Sequence, residues 1–250
     1  MTGQRLFATL FTVLLIVAGW GAIPVRSESS LPPDDRTTPA PSMPVDKRIR
    51  LVLDTSETTT RVWIRPPAGL LSPARPASAT VSVTYIPNGD SNAYDACEAW
   101  PADAQVAFNY AAFLWANLIN SPVPITISAC WYSDTGSTLG YNYVGLPSAN
   151  FPGAPQANTY YAPALANARA GYDLAPGAAD TNIAINKNFT WYKGTDGNVP
   201  VNQIDMVSVV MHEIAHGLGF SGGMRYSGGT GSWAGTWPFA YDRFTETGGN

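Results

Sequence analysis

The sequence predicts an α+β domain over residues 79–250, and three stretches of it carry that prediction. A period-2 run at 80–86 (TVSVTYI) marks a half-buried strand, 103–120 carries apolar residues at helical spacing, and 205–219 (DMVSVVMHEIAHGLG) reads as a capped amphipathic helix. Gly and Pro number 23 and 21 of 250 residues, which makes the domain loop-rich. The many Tyr and Trp residues exclude a disordered chain, which would be poor in aromatics.

The segments before this domain read differently. Arg5 followed by the apolar stretch 6–18 and the breakers Gly19, Gly21 and Pro24 has the form of a signal peptide, with cleavage expected near Ser27. The apolar run is short for a bilayer span, so no stable membrane span is expected after cleavage, and secretion is the expected destination. Residues 28–78 form a Pro-rich linker or N-terminal extension, open to a reading as an inhibitory pro-segment. It contains two β-like runs, 49–53 and 61–64. Without residues 1–27 the chain keeps 12 basic against 18 acidic residues, a net charge of −6. Only Lys47-Arg48-Ile49-Arg50 is locally basic, so no stripe of positive charge is present for nucleic acid. Oligomeric state leaves no signal in the sequence.

Within the domain, Asp103 is expected to cap the first helix, with Val106, Tyr110, Phe113, Leu114 and Leu118 as its core face and Ser121-Pro122 as its stop. The next strand is 123–130 (VPITISAC). Residues 131–180 read as long loops with a short helix near 162–170, and 182–191 (NIAINKNFTW) as a strand pair or bent strand. Cys97 and Cys130 fit one disulfide in an exported protein, worth about 3–4 kcal/mol in the chain-entropy model.

The chemistry concentrates in the last helix. Asp205 can accept a hydrogen bond from an unpaired N–H of the first turn. Val207, Val210, Met211, Ile214 and Leu218 form one apolar stripe. His212 and His216, the only histidines of the chain, are four apart and so stand one turn above the other. Two imidazoles so placed can share one cation at about 2.0–2.1 Å, which makes them metal ligands and zinc (Zn2+) the expected cofactor. Glu213 lies beside the pair, placed to take a proton from water that zinc activates. Gly217 and Gly219 are expected to end the helix.

HEIAHGLGFSG resembles the active-site helix of metzincin-type zinc metallopeptidases, most closely the leishmanolysin-like branch. The element order, strand, helix, strand, strand, motif helix, also resembles the zincin fold. The resemblance implies a mixed twisted sheet above a cleft, protein or peptide substrates, and a secreted metalloendopeptidase with His212 and His216 on zinc and Glu213 as general base. The sequence departs from the pattern at Gly222, where most metzincins carry a third histidine. Two readings follow: the third ligand and a methionine turn lie beyond Asn250, or a carboxylate, Asp242, supplies it. Alternative functions are a catalytically incomplete zincin domain serving as a binding or surface module, and a zinc hydrolase of non-peptide substrates. Three further features are weaker. Tyr141, Tyr143, Tyr160 and Tyr161 are expected in a cleft or in packing. Asn188-Phe189-Thr190 is a glycosylation sequon. Asp173, Asp180, Asp196 and Asn198 read as calcium ligands or, more simply, as turn residues.

Overall fold

The computed structural model describes residues 79–245 and the backbone of residues 48–52. The expected signal peptide, most of the extension with its run at 61–64, and the last five residues lie outside the described residues.

A five-stranded mixed sheet organises the chain. It is built from β1 (Arg48–Val52), β2 (Val81–Tyr85), β3 (Ile125–Tyr132), β4 (Thr138–Val144) and β5 (Thr181–Asn186), in the order β1-β4-β5-β3-β2. β2, β3 and β5 run parallel, while β4 is antiparallel to β5 and β1 is antiparallel to β4. Helices α1 (Ala102–Leu118) and α3 (Met206–Gly217) pack on one face; α2 (Pro163–Ala170) lies in the β4–β5 connection. Two short pairs complete the chain, β6 (Trp191–Tyr192) with β7 (Ile204–Asp205) and the hairpin β8 (Met224–Ser227) with β9 (Thr230–Trp233). A 3-10 turn follows at Tyr241–Phe244. The architecture is α+β.

Strand alternation sorts side chains between two cores. Val81, Val83 and Tyr85 of β2, Ile127, Ala129 and Trp131 of β3, and Ile183 and Ile185 of β5 point toward the helices. Their neighbours Cys130, Tyr132 and Ala184 face the other way, where they meet Tyr141 and Cys97. Cys97 and Cys130 are bonded to each other across 33 residues, which ties the segment before α1 to the middle of the sheet.

The first helix departs from the sequence reading in cap and face. Pro101 occupies the N-cap, and Asp103 lies within the first turn, accepting a bond from the N–H of Ala104 and facing Lys193 at 3.1 Å. Val106 and Phe113, expected in the core, are 60% and 54% exposed. The buried face is instead Ala104, Ala107, Phe108, Ala111, Ala112, Trp115 and Leu118. Alanine carries little hydrophobic signal in a sequence, yet it allows α1 to lie close against its neighbours, and Trp115 then fills the space with its full ring. Val106, Tyr110, Phe113 and Leu114 mark the flank of that stripe.

The stretch expected as loops between 131 and 180 contains β4. Pairing skips Leu139, since Leu51 opposes Gly140 and Val52 opposes Thr138. The bulge sends Leu139 into the helix-side core while Tyr141 packs on the opposite side, so two residues of equal parity face opposite ways. A strict period of two is thereby lost from the sequence.

Candidate metal-binding and catalytic site

The motif helix is held from three directions. Asp205 caps it, its carboxylate accepting from the N–H of Ser208 at 3.2 Å. From α1, the indole N–H of Trp115 donates to the carbonyl of Met211 at 3.0 Å, immediately before His212. From the sheet, the amide of Asn142 in β4 donates to the carbonyl of Glu213 at 2.9 Å and to the hydroxyl of Thr181 at 2.6 Å. Val207, Val210 and Ile214 are buried, and so are Met206, Val209, Ala215 and Gly217, so the helix runs through the interior rather than along it.

Gly217 has a packing role beyond the one expected of it. A Cβ there would stand 2.4–2.7 Å from the side chain of Thr181, so only glycine lets the last turn rest on β5. The exit itself falls to Gly219, whose φ of +110° is open to glycine and strained for other residues. Gly140 gives the same clearance on β4: a Cβ there would lie 2.9 Å from the carbonyl of Ala184 and 3.8 Å from Cγ of Glu213.

The structure brings His212 and His216 together. Their Nε2 atoms are 3.0 Å apart and their rings nearly perpendicular, at 88°. Nδ1 of His216 lies 2.7 Å from the carbonyl oxygen of Phe220. A carbonyl only accepts, so Nδ1 carries the proton and Nε2 presents a lone pair toward His212. Burial holds His212 down to about 4, with the neighbouring His216 adding to the effect. Burial also lowers His216, opposed by its bond to Phe220. Both rings are therefore neutral at pH 7, the form that binds metal. Two nitrogens at 2.0–2.1 Å from a tetrahedral zinc stand about 3.3 Å apart, close to the observed separation.

Glu213 is completely buried, and neither carboxylate oxygen has a hydrogen-bond partner. Burial pushes its carboxyl well above the ordinary glutamate range. A buried, unpartnered carboxyl costs about 1–3 kcal/mol or more, and such groups gather where function requires them. A cation on the adjacent histidines would reverse the shift, because opposite charge favours the carboxylate. The two imidazole nitrogens are donors that suit a divalent metal, while among the described residues the Glu213 oxygens do not gather with them as a third donor.

Asp242 is engaged elsewhere. Its carboxylate accepts from the N–H of Gly223 at 2.8 and 2.9 Å and from the N–H of Phe239 at 2.8 Å. Among the described residues no three His, Cys, Asp or Glu side chains gather as a metal site, so Asp242 does not join the histidine pair.

The other sequence candidates are dispersed. Tyr141 is buried against Cys97 and Cys130, its hydroxyl donating to Asp95, and Tyr143 packs against Tyr94. Tyr160 and Tyr161 pack against Phe239 and Phe151. Asp173 and Asp180 both accept from Asn167, while Asp196 and Asn198 bond each other in a separate exposed turn. The side-chain amide of Asn188 donates to the carbonyl of Asp134 at 2.9 Å. Sequence reasoning missed Asn142, Thr181 and Trp115. Asn142 had no signal once β4 was read as loop, and Trp115 fell outside the stripe chosen for α1.

A family model described as SPBPB7E8-like matches residues 160–228, a stretch running from just before α2 through β5, the motif helix and β8. No curated protein and no solved structure matches the chain.

Proposed function

We propose that this chain is a secreted zinc-dependent metalloendopeptidase of zincin type, with His212 and His216 holding zinc and Glu213 as general base. The observation that carries the reading is the convergence of the two Nε2 atoms beside a buried glutamate with two free oxygens. The disulfide supports export, because such bonds persist in oxidising compartments.

Zinc in this place supplies a Lewis acid that polarises a scissile carbonyl and lowers the pKa of water. Glu213 takes the proton of the attacking water and returns it to the departing amine. Asn142 and Trp115 fix the backbone on either side of His212, so that the base and the ligands keep one geometry. Phe220 fixes the ring of His216 through its carbonyl.

Glu213→Ala is expected to keep zinc and to lose casein hydrolysis by about 10²–10⁴-fold, the usual contribution of a general base. Undiminished hydrolysis in that variant removes Glu213 from the role. The engagement of Asp242 with backbone favours a second reading, a zincin domain that binds without catalysing. A wild-type chain that holds zinc yet cleaves neither casein nor short peptides would match it.

A further inference from the structure

We propose that Asp242 is a positioning residue for the proposed metal site: it holds the turn after the motif helix so that the Phe220 carbonyl can fix the ring of His216. The inference rests on the reading of His216 as a zinc ligand, and assigns Asp242 a task other than ligation.

The motif helix ends at Gly217 and the chain turns through Phe220, Ser221, Gly222 and Gly223. The two ends of this four-residue turn are anchored differently. At one end the Phe220 carbonyl meets Nδ1 of His216. At the other, both oxygens of Asp242 lie within 2.9 Å of the Gly223 N–H. One of those oxygens also accepts from the N–H of Phe239, so a single carboxylate joins the turn to the segment that carries Phe239. Asp242 is 4% exposed, and each of these bonds is shielded from water. The carbonyl of Gly223 is taken by the N–H of Ala234 at 2.6 Å, which closes the same turn from its other side.

Steric fit points the same way. A Cβ on Gly222 would come 2.6 Å from the Asp242 carboxylate, and one on Gly223 would come 2.8 Å from the ring of Phe239. The turn is therefore seated directly on Asp242 and Phe239, at a distance that only glycine allows. Loss of the carboxylate would leave the N–H groups of Gly223 and Phe239 buried without an acceptor, and the turn would move to find one. The Phe220 carbonyl, three residues away, would move with it. A histidine ligand whose second nitrogen loses its partner loses both its tautomer and its orientation.

The test uses the full chain and two variants. Asp242→Asn keeps the shape but offers one accepting oxygen; Gly222→Ala keeps Asp242 and displaces it. In metal-free wild type, nitrogen NMR of the imidazoles should show His216 protonated on Nδ1 alone. Both variants should show a mixture of tautomers for His216 and a zinc affinity, measured by chelator competition, lower by about 10–100-fold. Retention of the single Nδ1–H tautomer with unchanged zinc affinity in a folded variant overturns the proposal. So does a wild-type His216 that is not protonated on Nδ1, whatever the variants do. Cobalt absorption separates positioning from ligation, because loss of a ligand changes the number of donors and hence the band pattern. A changed pattern in Asp242→Asn makes Asp242 a ligand and overturns the positioning role. If wild type binds no zinc at all, the metal reading fails, while the tautomer measurement still reports on Asp242.

Discussion

Glu213 occupies an expensive position: a carboxyl with no exposure and no hydrogen-bond partner, beside the clearance left by Gly140. Such a group weakens the metal-free fold. Replacing it by methionine, of similar volume and without polar atoms, should raise the unfolding free energy of the metal-free chain by about 1–3 kcal/mol, measured by urea denaturation. A loss of stability in Glu213→Met would mean that the carboxyl is satisfied in the fold and contributes to it. The histidines tell the complementary story. The bond from Nδ1 of His216 to Phe220 leaves the lone pair of its Nε2 directed toward Nε2 of His212. The identities and spacing of these three residues were legible in the sequence, because helical geometry alone places residues four apart on one face. The Phe220 carbonyl was not, since a backbone acceptor has no residue signature.

Among the elements, α1 and α3 are joined by Trp115, whose indole is fully buried and bonded to the Met211 carbonyl. Trp115→Ala should cost about 3–5 kcal/mol, while Trp115→Phe, which keeps much of the ring and loses the N–H bond, should cost distinctly less. Equal costs from the two, in thermal or urea unfolding, would mean that the ring adds nothing beyond its N–H. Strand β5 is positioned by Asp180, just before it, which accepts from the N–H and hydroxyl of Thr126 in β3 and from Asn167 in α2. Burial, with the nearby Asp173 adding to it, pushes the Asp180 carboxyl up against the effect of these bonds. A raised carboxyl holds its proton in the folded chain after the unfolded chain has released it. Its contribution to stability therefore declines as pH rises from about 3.9, the ordinary aspartate value, through the folded value. The stability difference between wild type and Asp180→Asn should move against wild type over that range. A difference independent of pH would show that Asp180 ionises alike in both states.

At this scale too, the sequence disclosed some elements and concealed others for physical reasons. β2 and the first half of β3 follow a period of two because one face is the more buried there, and α3 is marked by its Asp205 cap and its apolar residues. The face of α1 was hidden by alanine, and β4 by the bulge at Leu139 and by glycines that also suit a loop. Without β4 the sheet has no antiparallel strand beside the motif helix, so Asn142 and the seat of Glu213 could not be foreseen.

For the whole molecule, the sheet divides the chain into a face that carries the helices and a face that carries the disulfide and tyrosines. The site lies where α3 crosses β4 and β5, with Asn142 and Thr181 beneath it and the Phe220 turn beyond its end. β1, from the extension, pairs with the outer edge of β4, so part of the extension belongs to the same sheet as the site. The proposed chemistry requires the two histidines to form one metal site. Metal analysis of the purified full chain beside His212→Ala tests that most directly. About one zinc per chain is expected in wild type and none in the variant. Zinc retained after loss of His212, or a wild-type chain that takes up none, would contradict it.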